Sequence, residues 1–234
     1  MTIYLKRGPG EFIRKGTHRG VEYVVKVQNI VVTGKLYDIN GEPVSLNIRS
    51  IGDLFISDAS SVELGTERRF PALILKFEAL IEFPDLERPV RRNISVLVFD
   101  TGKIVVAGSP SIQVAVFFAE LVARRLAGLG VGKVEVTPVN VVTSAHLVGV
   151  RVNLERIAYK KELWYPIYEP DDFPAAIAKV PREVIDEMGD PVKVLIYGNG
   201  KLIVPGVKSV GEAEKVVKVV IERIVDLGAL LPAR

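Results

Sequence analysis

The 234-residue sequence contains no cysteine and only two histidines, His18 and His146. Without cysteine there is no disulfide, no thiolate metal ligand and no cysteine nucleophile. Two histidines make a histidine-rich metal site or a histidine relay improbable, and Ser144, near His146, has no identifiable acidic partner that would complete a triad. We therefore expect no metal, no other cofactor and no enzymatic activity.

The sequence also lacks a long apolar run. Its most apolar late stretch, residues 114–123, is short and contains Glu120, whereas a membrane-spanning helix needs about 20 apolar residues. No signal-peptide pattern is present. The composition is 48% hydrophobic and 25% charged, so we expect a soluble, folded chain rather than a disordered one. Glutamine occurs only twice while valine, isoleucine, arginine and glutamate are plentiful, which is typical of thermophile intracellular proteins.

Charge is unevenly distributed along the chain. The net charge of +3 comes from residues 1–20, which contain five basic residues and one acidic residue, Glu11. In the rest of the chain the numbers of basic and acidic residues are nearly equal. A basic segment of this kind can bind nucleic acid, but a mobile terminus is the commoner case. We interpret residues 1–20 as a basic N-terminal leader of the mobile kind.

Self-similarity organises the rest of the chain. The segment TGKIVVAG at residues 101–108 recurs as NGKLIVPG at residues 199–206, and the same spacing relates Ser111 to Ser209 and Gly130 to Gly228. An internal repeat of this length indicates two copies of one structural unit. The sequence therefore predicts a first repeat at 21–130 and a second at 131–234.

In each repeat, the sequence predicts strands followed by a helix. Asn-Gly at 199–200 is a strong hairpin signal, and Ser209 with Glu212 forms a capping box at a helix start. The predicted strands are 24–35, 72–77, 95–99 and 103–106 in the first repeat and 134–147, 175–180, 192–197 and 201–204 in the second. Long helices follow Ser109 and Ser209, and short helices are predicted at 46–51 and 153–159.

Many of these strands are almost continuously apolar, as in residues 96–99, 104–106 and 194–197. Antiparallel strands with one wet face should instead alternate between apolar and polar residues. Two long helices can cover only one face of so large a sheet, so the other face is expected to be apolar and to meet a partner. A sheet sandwich or an obligate dimer would explain the pattern equally well.

Short motifs then resemble one known family. The segment YEPDDFP at 168–174 looks like the Tyr-Glu-Pro-x-x-Phe-Pro motif of the TATA-binding protein family. Residues 153–159 resemble its short helix, residues 28–31 its first-strand signature, and the paired Gly-Lys hairpins its twofold repeat. The resemblance covers about residues 24–230. It implies an α+β saddle of two pseudo-symmetric repeats, with a curved antiparallel sheet and helices on the convex face.

The resemblance also implies a function and a set of DNA-binding residues. A family member would be an archaeal general transcription initiation factor, cytoplasmic and nucleoid-associated, that binds and bends A·T-rich double-stranded promoter DNA through the minor groove. Its partners would include transcription factor B and the RNA polymerase machinery, and no membrane. The matched positions are wedge aromatics, central asparagines, groove-facing apolar residues and phosphate-facing cations: Phe70, Phe99, Phe173 and Tyr197; Asn29 and Asn140; Val31, Val105, Val142 and Ile203; Arg69, Lys76, Lys103, Lys179 and Lys201.

Three positions depart from the family pattern. Ala107 and Pro205 stand where the family has a threonine before the glycine, and Tyr197 replaces a wedge phenylalanine. Acidic residues also occur in the predicted loops near DNA. The alternative is therefore a saddle-fold paralogue that has lost TATA recognition and acts as a protein-binding scaffold or an accessory nucleic-acid-binding module.

Overall fold

The computed structural model describes residues 2–6, 12–65, 71–84 and 86–233. The chain divides into two units, the first formed by Met1–Phe12 and Asn29–Val139 and the second by Ile13–Gln28 and Asn140–Arg234. The chain passes from one unit to the other after Phe12, after Gln28 and after Val139, and the last two of these points lie inside long strands. The repeat bounds of 21–130 and 131–234 stay a prediction.

The described residues form thirteen strands, three α-helices and four short 3-10 turns. The strands are β1 (Thr2–Leu5), β2 (Ile13–His18), β3 (Val21–Tyr37), β4 (Ser61–Leu64), β5 (Ala72–Ile81), β6 (Val90–Phe99), β7 (Lys103–Ser109), β8 (Lys133–Leu147), β9 (Val150–Val152), β10 (Ala175–Val180), β11 (Val192–Tyr197), β12 (Lys201–Val207) and β13 (Leu230–Pro232). The helices are α1 (Ile112–Arg125), α2 (Leu154–Ile157) and α3 (Val210–Asp226), and the 3-10 turns are Gly52–Phe55, Ala127–Leu129, Lys161–Leu163 and Arg182–Ile185.

The sheet of the first unit is built around two hairpin strands. β6 pairs antiparallel with both β5 and β7, and β7 pairs with β3. The far edge of β5 carries β4 in antiparallel and β1 in parallel orientation. The sheet of this unit is therefore mixed, because of β1, rather than wholly antiparallel as the resemblance implied.

The second unit repeats this order, and its strands β10 and β11 are shorter than the corresponding β5 and β6. β10 pairs with β11, β11 with β12, and β12 with β8, all antiparallel. β2 and the start of β3 form a separate hairpin in this unit, and β9 pairs with β13. The hairpin of β2 packs against α3.

Helix α3 begins directly after Ser209, as predicted, whereas α1 begins after Ser111, two residues later than the predicted start at Ser109. Ser111 Oγ accepts the N–H of Val114 at 3.1 Å, and Ser209 Oγ accepts that of Glu212 at 3.0 Å. The Glu212 carboxylate accepts the backbone N–H of Lys208 at 2.6 Å, one residue before the expected N-cap. These bonds satisfy backbone donors that the first helical turn leaves free.

Each helix buries one face of its own sheet. Phe118 of α1 is fully buried and lies 5.2 Å from the ring of Phe77 on β5, while α3 packs on β12. Along the strands, buried residues alternate with partly exposed ones. The apolar strand pattern therefore reflects one face packed under helices and one partly exposed apolar face, which we call the open face of each unit.

The interpretation of residues 1–20 as a mobile tail is wrong for the described part of that segment. Residues 2–5 and 13–18 form strands, and Phe12 is fully buried. Arg14 and Arg19 form ion pairs with Glu214 and Asp226 on α3, at 2.6 and 2.7 Å. These two arginines therefore pair with acidic residues of α3 within the second unit.

Two other expectations on local structure need adjustment. No helix forms at 46–51, and the chain instead makes a 3-10 turn at Gly52–Phe55, while the predicted helix at 153–159 shortens to α2. Asn153 caps α2 by accepting the N–H of Arg156 at 3.1 Å. Within the described ranges, no helix is long and apolar enough to cross a membrane.

Candidate nucleic-acid interface

The open face of the first unit carries a row of side chains that crosses four strands. Backbone register places Ile74 opposite Leu97, Leu97 opposite Val105, and Val105 opposite Thr33. All four are partly exposed, whereas their chain neighbours are mostly buried. Val31, on the same side of β3 as Thr33, extends this surface.

The second unit carries the corresponding row. Ile177 lies opposite Leu195, Leu195 opposite Ile203, and Ile203 opposite Ser144. Val142 lies two residues before Ser144 on the same side of β8 and is also partly exposed. Each unit thus offers three aliphatic side chains and one hydroxyl in a line across its strands.

An asparagine lies beside each row, held in the same way in both units. The backbone N–H of Gly108 donates to Oδ1 of Asn29 at 2.8 Å, and that of Gly206 donates to Oδ1 of Asn140 at 3.0 Å. Both glycines have positive φ, 88° and 79°, a conformation that glycine adopts at little cost. Because a backbone N–H can bond only the amide oxygen, the amide N–H₂ group must occupy the other branch of the planar side chain.

Aromatic side chains stand at the ends of the hairpin strands. Phe173 and Tyr197 lie together with ring centroids 6.2 Å apart, and Phe173 is 36% exposed. Lys201 Nζ lies 6.0 Å from the centroid of the Tyr197 ring, and Lys103 Nζ lies 5.9 Å from that of Phe99. Phe70, the expected companion of Phe99, and Arg69 fall outside the described residues.

The expected phosphate-facing lysines differ in their surroundings. Lys103, Lys179 and Lys201 are exposed, and Lys179 lies opposite Lys193 in the strand register. Lys76 is also exposed, but its Nζ lies 2.7 Å from the carboxylate of Glu63 on β4. Hydrogen bonding from Lys76 lowers the pKa of Glu63.

Several residues of these rows were absent from the site expected from sequence. Leu97 and Leu195 stand at the repeat spacing that relates Phe99 to Tyr197, and Ile74 and Ile177 at the spacing that relates Phe70 to Phe173. The repeat therefore contained the signal for these four positions. Glu63 could not be found, because its segment matches nothing in the second half and only the pairing of β4 with β5 brings it to Lys76.

The geometry agrees with comparisons to known proteins. A family model described as Transcription factor TFIID (or TATA-binding protein, TBP) matches residues 135–227. The TATA-box-binding protein of Archaeoglobus fulgidus is 31% identical over 216 residues, which are 89% of this chain and 99% of that protein. The chain belongs to the TATA-binding protein family. The TATA-box-binding protein of Sulfurisphaera tokodaii, also a member, is 30% identical over 89% of this chain and 90% of its own length.

A solved structure supports the fold of this TATA-binding protein family member. Methanococcus jannaschii TBP superposes with a TM-score of 0.64 at 23% identity, covering 86% of this chain and 98% of that one. At this identity the likeness concerns the fold, and it confirms the α+β saddle class that the motifs implied. In the part of the chain that the structure describes, no group of three or more His, Cys, Asp or Glu residues could hold a metal ion.

Proposed function

We propose that this protein is a general transcription initiation factor that binds A·T-rich promoter DNA through the minor groove and bends it. The observation that carries the proposal is the recurrence, in both units, of an oriented asparagine amide beside partly exposed aliphatic side chains. In each unit a glycine N–H fixes the amide oxygen. A hydrogen-bond donor of fixed direction next to an apolar surface is suited to one kind of DNA surface.

That surface is the floor of the minor groove at A·T pairs. Adenine N3 and thymine O2 are acceptors there, whereas a G·C pair adds the N2 amino donor of guanine. The N–H₂ groups of Asn29 and Asn140 would bond the acceptors and would clash with the guanine donor. The aliphatic rows would lie against the apolar parts of the groove. Guanine is therefore disfavoured both by the asparagine amides and by the aliphatic rows, which offer its amino group no acceptor.

The balance of charges suggests how affinity depends on salt. Arg14 and Arg19 are engaged by α3, and Lys76 is paired with Glu63. These three cations already have carboxylate partners and would have to give them up to contact phosphates. Because each neutralised phosphate adds to the salt dependence, we expect the affinity to fall only modestly with salt.

Bending is assigned to the aromatic residues on the basis of the family resemblance. Large flat side chains can enter a base step and unstack it, which kinks the duplex. The pair Phe173 and Tyr197 of the second unit, with centroids 6.2 Å apart, supplies two such rings. Phe99, with the undescribed Phe70, would supply the other pair.

Acidic loops of the second unit support a protein partner in addition to DNA. Glu169, Asp171 and Asp172 are exposed in the Tyr-Glu-Pro segment, as are Glu183 and Asp186 before β11. Carboxylates near DNA phosphates are unfavourable, whereas a basic protein surface would be attracted to them. We assign these loops to transcription factor B and the RNA polymerase machinery.

A titration with fluorescent duplexes tests the DNA proposal. The wild-type protein should bind an A·T-rich duplex at least tenfold more tightly than a G·C-rich duplex of equal length, and energy transfer between the duplex ends should rise as it bends. Phe99→Ala and Phe173→Ala should reduce the bend more than they reduce affinity. Leu129→Ala, at an exposed aliphatic position after α1, is the matched control. Absence of binding at micromolar protein in low salt would overturn the proposal.

One observation favours the alternative of a protein-binding scaffold that has lost TATA recognition. Ala107 and Pro205 supply no hydroxyl beside the asparagines, and Lys76 is neutralised by Glu63. Co-purification from native extract separates the two functions. A scaffold would recover protein partners independently of nuclease treatment, while a promoter-binding factor would recover A·T-rich DNA.

A further inference from the structure

A buried arginine lies behind the asparagine of the second unit. Arg182 is 7% exposed although it sits in a short 3-10 turn near the surface. Its Nε donates to the carbonyl of Asp190 at 2.8 Å and its Nη2 to the carbonyl of Gly206 at 2.9 Å. Its Nη1 pairs with the carboxylate of Glu212, which is 4% exposed.

These contacts form a continuous path to the open face. Glu212 holds Arg182, Arg182 holds the carbonyl of Gly206, and the N–H of Gly206 holds Oδ1 of Asn140. Arginine and glutamate are seldom buried, because desolvating two charges offsets most of their attraction. A buried pair of this kind is therefore better explained by the geometry it fixes than by a gain in stability.

The first unit holds its glycine by other means. There the pairing of β6 with β7 extends to Ser95 and Ala107, directly before Gly108. A Cβ on Gly108 would collide with the carbonyl oxygen of Asn93, which shows how closely the backbone of β6 packs on this residue. Gly108 is thus fixed by its neighbouring strand.

The second unit lacks this support. The pairing of β11 with β12 ends at Leu195 and Ile203, three residues before Gly206, and Pro205 has no N–H to continue it. Among the described residues, no heavy atom outside Gly206 and its two chain neighbours lies within 4 Å of the place where a Cβ on Gly206 would stand. The guanidinium of Arg182 therefore does for Gly206 what the strand β6 does for Gly108.

We propose that Arg182 is a positioning residue that fixes the backbone at Gly206 and thereby the direction of the Asn140 amide. Its effect on structure is independent of any ligand. Its consequence for DNA rests on the proposed function, in which the Asn140 amide distinguishes A·T from G·C pairs.

The structural part is tested on the free protein by nuclear magnetic resonance. Arg182→Met combined with Glu212→Gln removes the donor to Gly206 without leaving a buried unpaired charge, and the new side-chain amide can still accept the N–H of Lys208. The control is the wild-type protein, in which the buried pair of Arg182 and Glu212 is intact. In the double variant, we expect the Gly206 amide to exchange at least tenfold faster and the Asn140 side-chain amide to lose order, relative to the control.

Asn29 and Gly108 are the internal reference, because their support comes from β6. Their signals should be the same in the control and the double variant. If Asn140 stays as ordered in the double variant as in the control, or if both asparagines change equally, the inference is wrong. Should the double variant fail to fold, Arg182→Lys is used; it retains the charge for Glu212 but can reach fewer carbonyls, and it should loosen Asn140 selectively.

The DNA part uses duplexes in which single A·T pairs are replaced by G·C along the site. The control should show a large penalty at the central positions. In the double variant, the ratio of affinities for the A·T and G·C duplexes should be about tenfold smaller. The salt dependence should be unchanged, because no phosphate contact has been removed. A loss of affinity equal for all duplexes would contradict a positioning role. If even the wild-type protein binds no duplex, the proposed function fails, and the resonance experiment still decides the role of Arg182.

Discussion

The guanidinium of Arg14 lies 2.6 Å from the carboxylate of Glu214 and joins strand β2 to helix α3 within the second unit. The same carboxylate accepts the Tyr23 hydroxyl at 2.6 Å and lies 3.0 Å from Lys218 Nζ. Burial by itself raises the pKa of Glu214, but the hydrogen bonds from Tyr23, Arg14 and Lys218 outweigh it and lower this pKa to about 2. Strand β2 is thus held to helix α3 by the Glu214 carboxylate, which resists protonation.

The protein should lose stability in acid through this group. Because the folded-state pKa of Glu214 is depressed from 4.5 to about 2, its contribution is complete above about pH 4.5 and is lost as the pH falls towards 2. The contribution is on the order of 1–3 kcal/mol. Urea unfolding between pH 2 and 7 should show this loss, and the loss should be smaller in Glu214→Gln. An equally steep profile in that variant would assign the effect to other carboxylates.

Phe12 should be essential for the stability of the first unit. Its side chain is fully buried and stacks on Phe83 with ring centroids 4.8 Å apart, and Arg92 lies 5.6 Å from its ring. Phe12→Ala removes a buried ring and should destabilise the protein by about 3–5 kcal/mol in urea titrations. Lys15→Ala, at an exposed position on β2, should change stability by less than about 0.5 kcal/mol. If Phe12→Ala and Lys15→Ala both change the stability by similarly small amounts, the interpretation of residues 1–20 as a mobile tail would be restored.

Neutralising Glu63 should strengthen DNA binding. Glu63 lies 2.7 Å from Lys76 and cancels a charge on the open face of the first unit. In Glu63→Gln, Lys76 is free to meet a phosphate, so affinity for an A·T-rich duplex should rise about threefold at low salt and the salt dependence should steepen by up to about one ion. Glu222→Gln on α3 is a control that removes the same charge elsewhere. A rise as large in the control would indicate a general charge effect.

Replacing Tyr197 by phenylalanine should favour bending. The Tyr197 hydroxyl would have to enter an apolar base step without a partner, which is costly for a polar group. In Tyr197→Phe, the ring stays beside Phe173 while the hydroxyl is gone, so the bend should increase and affinity should rise about threefold or more. Tyr165→Phe, at an exposed position outside the strands, is the matched control. Weaker binding of Tyr197→Phe would mean that the hydroxyl itself contacts DNA.

Much of the repeat could be predicted from sequence because its signals are local. Turn residues predicted the hairpin at 198–200, and the capping box predicted the start of α3 at Ser209, whereas α1 starts at Ser111 rather than at the predicted Ser109. Strands β10 and β11 have the bounds expected from their apolar runs. The asparagines at 29 and 140 were proposed as site residues from short motifs, and the hydrogen bonds from Gly108 and Gly206 give them their orientation.

What the sequence could not supply were contacts between residues far apart in the chain. Charge counts suggested a basic tail, but Arg14 meets Glu214 only because β2 pairs with β3 and packs on α3. Lys76 meets Glu63 only through the pairing of β4 with β5, and Arg182 reaches Gly206 only because the ladder of β11 and β12 ends early.

The hairpin at 198–200, the start of α3 and the family could be predicted from sequence, since each depends on neighbouring residues or on a short motif. The tertiary structure decided which charges are paired, which face of each sheet stays open and how each asparagine amide is held. Those properties depend on packing between residues that are far apart in the chain, so no local sequence pattern predicts them.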